Sequence, residues 1–108
     1  MNYSIRLRPE LVDDAAEAFR WYENAATGLG HEFLRSYFVA LAAITREPLR
    51  LWRVYGDFRR VLLARFPYAL YFRVEAGSVV VFLLTHGARN PRAIQRSLRR
   101  RITRPFDS

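Results

Sequence analysis

Apolar and polar positions divide the chain into segments of two different periods. From Phe58 to Pro91 the sequence FRRVLLARFPYALYFRVEAGSVVVFLLTHGARNP predicts three consecutive strands: Phe58–Arg65, Tyr68–Val74 and Val79–Thr85. β-Branched and aromatic residues dominate each run. Pro67 has no N–H, so Arg65-Phe66-Pro67 forms the first connection. Ala76-Gly77-Ser78 supplies a permissive backbone for the second. Connections this short join antiparallel neighbours, because a parallel crossover needs about a dozen residues. The expectation is a meander on which the rest of the chain packs.

Before the meander the period lengthens. Tyr3-Ser4-Ile5-Arg6-Leu7 alternates as a short strand does, and Pro9 then sits where a helix begins. Glu10, Asp13, Asp14 and Glu17 suit the positive end of that helix. Leu11, Ala15, Ala18, Phe19, Tyr22 and Ala26 form its apolar stripe, and Gly28 and Gly30 are read as its stop. A second helix is predicted from Leu29 to Arg46, with Phe33, Tyr37, Leu41 and Ile44 inward and Pro48 ending it. So short a link makes the pair an αα-hairpin. Trp52–Tyr55 reads as a brief strand or an extended lead-in, and Gly56-Asp57 turns into the meander. Asn90-Pro91 is a cap and first helical residue for a last helix. Its buried edge is Ile94, Leu98 and Ile102, and Arg92, Arg96, Arg99, Arg100 and Arg101 take its other sides. The fold class is α+β: an N-terminal strand, an αα-hairpin packed on an antiparallel β-meander, and a basic C-terminal helix, all one domain over residues 1–108.

Composition narrows the function classes. An aromatic share of 15% with half the residues hydrophobic excludes disorder, and no apolar run approaches the ~20 residues of a membrane helix. Arg6 and Arg8 interrupt any signal-peptide core, and without cysteine there is no disulfide framework or thiolate chemistry. A cytoplasmic location is the default expectation. The net charge of +8 comes entirely from arginine. Codon bias accounts for the missing lysine but not for the shortage of acids. Such a field attracts an anionic partner, either nucleic acid or an acidic protein segment. His31 and His86 are the only histidines, which leaves no metal-ligand set, and the glycines are too scattered for a phosphate loop. Neither a metal nor a cofactor is expected.

Several residues are candidates for chemistry. His86 ends the last strand beside Gly87, and histidine is the side chain suited to proton transfer near neutral pH; capping the strand is the commoner role. Arg89 follows, able to bind phosphate or carboxylate or to pair within the fold. Arg59 and Arg60 point to opposite faces of their strand. Arg65 shares the face of Arg59, and Arg73 lies on the next strand, so Arg59, Arg65, Arg73 and Arg89 are a candidate groove. Tyr68 and Tyr71 are stacking platforms or, more commonly, core. Trp21, Tyr22 and Trp52 are assigned to the core on the same ground. Arg99-Arg100-Arg101 is read as a solvated helix end able to grip nucleic acid.

With these residues in place, the chain resembles the RelE/ParE superfamily of type II toxin–antitoxin toxins. The resemblance rests on the opening strand, the helical hairpin and the Arg59-Arg60 pair. It rests further on Arg65-Phe66-Pro67-Tyr68-Ala69-Leu70-Tyr71-Phe72-Arg73 and on Leu84-Thr85-His86-Gly87-Ala88-Arg89-Asn90-Pro91. It is closest to the ParE-like, plasmid-stabilisation branch. It implies a bacterial toxin neutralised by a cognate antitoxin with an acidic tail, in a dimer or a toxin–antitoxin hetero-oligomer. RelE-like members cut mRNA on the ribosome and look to lysine, arginine and tyrosine. Here Ala69 and Gln95 stand at positions matched to a cation and a tyrosine, while Arg89 matches. A second RNase pattern uses Glu, Arg and His; Asp57 and Glu47 are the carboxylates considered for His86. For an RNase, the catalytic candidates are His86, Arg89 and Arg59. The ParE-like members inhibit DNA gyrase with a surface rather than a catalytic site, and that reading leads. A RelE-like endoribonuclease, or a degenerate relative that only binds its partner, are the alternatives. For antitoxin or target binding the candidates are Arg59, Arg60, Arg65, Tyr68, Tyr71, Arg73, His86 and Arg89.

Overall fold

The structure, a computed structural model, describes residues 3–103. Five strands form one sheet: β1 (Ser4–Leu7), β2 (Arg53–Tyr55), β3 (Phe58–Leu62), β4 (Tyr68–Glu75) and β5 (Ser78–His86). Three helices complete it: α1 (Pro9–Ala25), α2 (Leu29–Arg46) and α3 (Pro91–Thr103), with a single 3-10 turn at Pro48–Arg50. The strand order is β1-β5-β4-β3-β2. Strands β2 to β5 are the expected antiparallel meander, and β1 adds to it parallel to β5. The α1–α2 hairpin separates β1 from the rest, and a crossover of that length is what a parallel neighbour requires.

The β4–β5 link is a two-residue turn, Ala76-Gly77, with φ of 48° and 81°. Both residues are left-handed, as the twist of a tight hairpin favours. At the β3–β4 link Arg65 also takes a positive φ, 72°, and the Leu63 N–H donates to the Tyr68 carbonyl. This turn ends β3 at Leu62, three residues before the Arg65 expected from composition.

Each face of the sheet carries its own apolar layer. The hairpin packs Leu11, Ala15, Phe33, Tyr37 and Ile44 onto Leu70, Phe72, Val79, Val81 and Leu84. On the other face Ile94 and Leu98 of α3 cover Ala69, Tyr71, Val80, Phe82 and Leu83. A register shift opposite Tyr71 and Phe72, which pair with Leu83 and Val81, lets Phe82 and Leu83 join the same layer. Three expectations need correction. Gly30 lies inside α2, where a Cβ would come within 2.7 Å of the Phe19 carbonyl oxygen, so it permits close helix contact instead of ending a helix. Ile102 is 38% exposed and lies outside the layer that Ile94 and Leu98 join. Trp21 and Trp52 are 70% and 84% exposed, outside both layers.

Candidate functional site

Strand β1 pairs with β5 only across Ser78–Val81, so from Phe82 onward one edge of β5 has no strand beside it. Side chains from the flanking helices take the strand's place. The Leu84 N–H donates to Asp14 Oδ2 of α1 at 3.1 Å, and Arg101 of α3 donates to the Phe82 carbonyl at 2.8 Å. Arg101 and Asp14 also meet bidentately, at 2.7 and 3.0 Å. The pair both satisfies the β5 edge and ties α3 to α1. Arg101 therefore belongs to the fold and not to a solvated helix end.

Beyond this tie a polar cleft of about 380 Å³ opens between α1, the end of β5 and α3. The chain reaches it because β5 stops at His86 and the Gly87 N–H bonds the Pro67 carbonyl at 2.8 Å. Asn90 then starts α3 by accepting the Arg92 N–H on its side chain at 2.8 Å. His86 Nδ1 accepts the Ala88 N–H at 3.1 Å, which in the neutral ring puts the proton on Nε2. The imidazole meets the Tyr68 ring edge-on, with centroids 5.4 Å apart. Burial pushes the Tyr68 phenol above its usual range, and Tyr22 and Glu17 add to the effect. Tyr68 stays a neutral hydrogen-bonding group.

Arg89 donates to Ser97 Oγ at 2.9 Å and reaches Thr85 Oγ1 at 3.5 Å; Arg100 also reaches Ser97 Oγ, at 3.5 Å. Hydroxyls orient these guanidiniums without neutralising them, which is how a site keeps cations in place for an anion. Glu17 lines the same cleft. The cleft can thus bind an oxyanion, and it holds a histidine and a carboxylate within it.

Of the residues singled out in the sequence, the cleft brings together Tyr68, His86 and Arg89. The four-arginine groove does not form. Arg59 donates to the carbonyls of Leu51 and Leu49, at 2.6 and 3.4 Å, near the opposite edge of the sheet. Arg65 pairs with Glu32 of α2 at 2.9 Å. Arg73 lies over the Phe58 and Phe82 rings and bonds Glu75. Arg60 faces outward on β3 opposite Tyr71, and Tyr71 is buried under α3 beside Tyr55. Neither Asp57 nor Glu47 lies near His86: Asp57 pairs with Arg53 and Glu47 with Arg50. Sequence reasoning gave Asp14, Glu17 and Ser97 no place in a site, and it read Arg100 only as part of a basic helix end able to grip nucleic acid. The acids of α1 are explained in the sequence by the helix dipole, and only the meeting of α1 and α3 side chains across the open edge of β5 gives them a second use. Among the described residues no group of three or more potential ligands is placed to hold a metal, and no helix is long and apolar enough to cross a membrane.

No family model matches the chain. It is 25% identical over 99 residues to toxin ParE2 of Mycobacterium tuberculosis, covering 88% of this chain and 91% of that protein. Among solved structures it resembles the chromosomal ParDE toxin–antitoxin system of Pseudomonas aeruginosa, with a TM-score of 0.71 and 11% identity over 78% of this chain and 95% of that one. The RelBE2 toxin–antitoxin complex of M. tuberculosis gives 0.53 at 18% identity, covering 80% and 99%. A double mutant of Escherichia coli toxin RelE in the free state gives 0.56 at 14%, covering 94% and 99%.

Proposed function

We propose that this chain, a member of the RelE/ParE toxin superfamily and the toxin of a type II toxin–antitoxin system, arrests growth in the ParE-like manner, by inhibiting DNA gyrase. A cognate antitoxin with an acidic tail neutralises it, drawn by the +8 charge. One observation carries the inhibitor reading: the arginines proposed for RNA chemistry are dispersed. Cleavage through the RNA's own 2′-hydroxyl needs a base, an acid and cations converging on one phosphate. Arg59 is committed to two backbone carbonyls far from His86, and Ala69 is buried under α3 at the position matched to a cation. Losing one placed charge stabiliser costs on the order of 10²-fold in rate or more. What remains, Tyr68, His86 and Arg89, suits a contact surface.

A second reading has a specific observation in its favour. Glu17 supplies the cleft with the carboxylate that an RNase of the Glu, Arg and His kind would use beside His86 and Arg89. One experiment separates the two. Purified protein is added to gyrase with supercoiled DNA and, in parallel, to translating ribosomes with a defined message. The expected result is accumulation of cleaved DNA–gyrase complexes with the message intact. Codon-positioned cuts in the message, abolished by Glu17→Gln, His86→Ala or Arg89→Ala, overturn the inhibitor reading and install the ribonuclease.

A further inference from the structure

Away from the cleft, near the opposite edge of the sheet, the chain displays an indole where a core residue was expected. Trp52 immediately precedes β2 and is 84% exposed, beside a half-exposed Leu49. The backbone that carries it is held on both sides. Arg59 donates to the Leu51 carbonyl at 2.6 Å, the Leu51 N–H closes the 3-10 turn on Pro48, and the Trp52 carbonyl accepts the Arg60 N–H at 3.4 Å. The indole therefore sits on a fixed support, lining a polar cleft of about 470 Å³.

Arg50 and Arg53 flank it. Their ion pairs, with Glu47 at 3.1 Å and Asp57 at 3.8 Å, join side chains that are all mostly exposed. Pairs of this kind contribute about 0–1 kcal/mol and exchange readily for a stronger anion. The result is an aromatic face between two available cations, with Arg59 spent on fixing the loop.

We propose that this patch binds single-stranded nucleic acid, with one base stacked on Trp52 and the neighbouring phosphates on Arg50 and Arg53. The chemistry excludes the other occupants in turn. An acidic peptide uses the arginines and leaves the indole idle. A duplex hides its base faces and presents only their edges. A second copy of the chain brings the same +8 charge. An unpaired strand alone offers a π-face and phosphates at once. The proposal is independent of whether gyrase or the ribosome is the toxin's target.

The test uses the full chain carrying Trp21→Phe, which leaves Trp52 as the sole tryptophan, and an oligothymidylate of about a dozen nucleotides. Binding is expected to quench Trp52 fluorescence. Trp52→Ala should weaken affinity for a labelled oligomer by about 5- to 150-fold, with Trp52→Phe retaining most of it. Arg50→Gln with Arg53→Gln should lower the slope of log K against log salt by about 1.4, since each single-strand phosphate contact contributes about 0.7. Far-UV circular dichroism and the urea midpoint should not change, because the side chains removed are exposed. An affinity indifferent to Trp52→Ala overturns the proposal and assigns binding to the general arginine field. Equal quenching by polyglutamate also overturns it, making the patch a protein dock, as does equal quenching by duplex DNA.

Discussion

The tie between α1 and α3 can be tested by removing Asp14. Its carboxylate accepts two bonds from Arg101 and one from the Leu84 N–H, and the Asp14 and Arg101 side chains are only 14% and 15% exposed. Asp14→Ala leaves a largely covered guanidinium without its counter-charge and the Leu84 N–H without an acceptor. Breaking a fully buried pair costs about 3–5 kcal/mol and an exposed one about 0–1. At this residual exposure the expected loss is ~2–3 kcal/mol, a fall in Tm of roughly 10–20 °C for a domain of this size. Asp14→Asn keeps an oxygen for Leu84 and should lose less. Urea unfolding of Asp14→Asn, Arg101→Met and the double variant completes a cycle whose coupling should exceed about 1 kcal/mol. Hydrogen exchange at the Leu84 amide should accelerate in Asp14→Ala but not in Arg101→Met. A coupling below about 0.5 kcal/mol would refute the tie and return Arg101 to the solvated end of α3.

Two further outcomes follow from the helical hairpin. Gly30→Ala should destabilise by about 1–3 kcal/mol in urea, because the new methyl meets the Phe19 backbone oxygen and ring; helix propensity alone predicts a gain of about 1 kcal/mol, so the sign decides. Glu23 accepts the backbone N–H groups of Gly28 and Gly30, each at 2.9 Å; the Gly28 bond, with smaller help from Gly30 and from the charge of His31, holds its carboxyl below the usual glutamate range. A folded-state pKa below the unfolded one gives stability that is present above the unfolded value and is lost as pH falls through the folded one. Glu23→Gln should therefore be less stable than the parent at neutral pH, and the difference should close on acidification; a difference independent of pH would discard the linkage.

What could be read from the sequence was set by local chemistry. The bounds of α2 were legible because its stripe and Pro48 act within a few residues, and β4 and β5 were legible because turn residues bracket them. The end of β3 was not, since Arg65 takes a left-handed φ that its residue type does not announce. Gly30 reads as a breaker until Phe19 is seen against it. Trp52 reads as core because hydrophobic identity says nothing about which side of a sheet edge a residue meets. The cleft was legible only on its sheet side, in Tyr68 of β4 and in His86 and Arg89 at the end of β5. His86 and Arg89 are neighbours in sequence, whereas Asp14 and Arg101 lie 87 residues apart and meet only past the open edge of β5, with α1 on one face of the sheet and α3 on the other. Strand alternation assigns an arginine to a face. It does not say whether that guanidinium will be taken by a carbonyl, as in Arg59, by a ring, as in Arg73, or only by a hydroxyl, as in Arg89.

That difference in partners decides where the net charge acts. Arg8, Arg50, Arg53, Arg65, Arg73 and Arg101 each face a carboxylate. In contrast, α3 reads PRAIQRSLRRRIT and contains no acid at all. Arg99, Arg100 and Arg101 at its C-terminal half suit the helix dipole, but Arg92 in its first turn opposes it, at a cost of about 0.3–1 kcal/mol. Helix stability therefore does not account for Arg92. Its charge adds instead to Arg89 and Arg100, whose guanidiniums have hydroxyl partners, so arginines gather along α3 and at the cleft that Asp14 and Glu17 also line. A field in that place steers an anionic partner toward His86 and Arg89 before any contact forms, and the steering weakens as salt shortens its range. For the acidic antitoxin tail proposed above, this gives a direction of approach, along α3 and toward the end of β5.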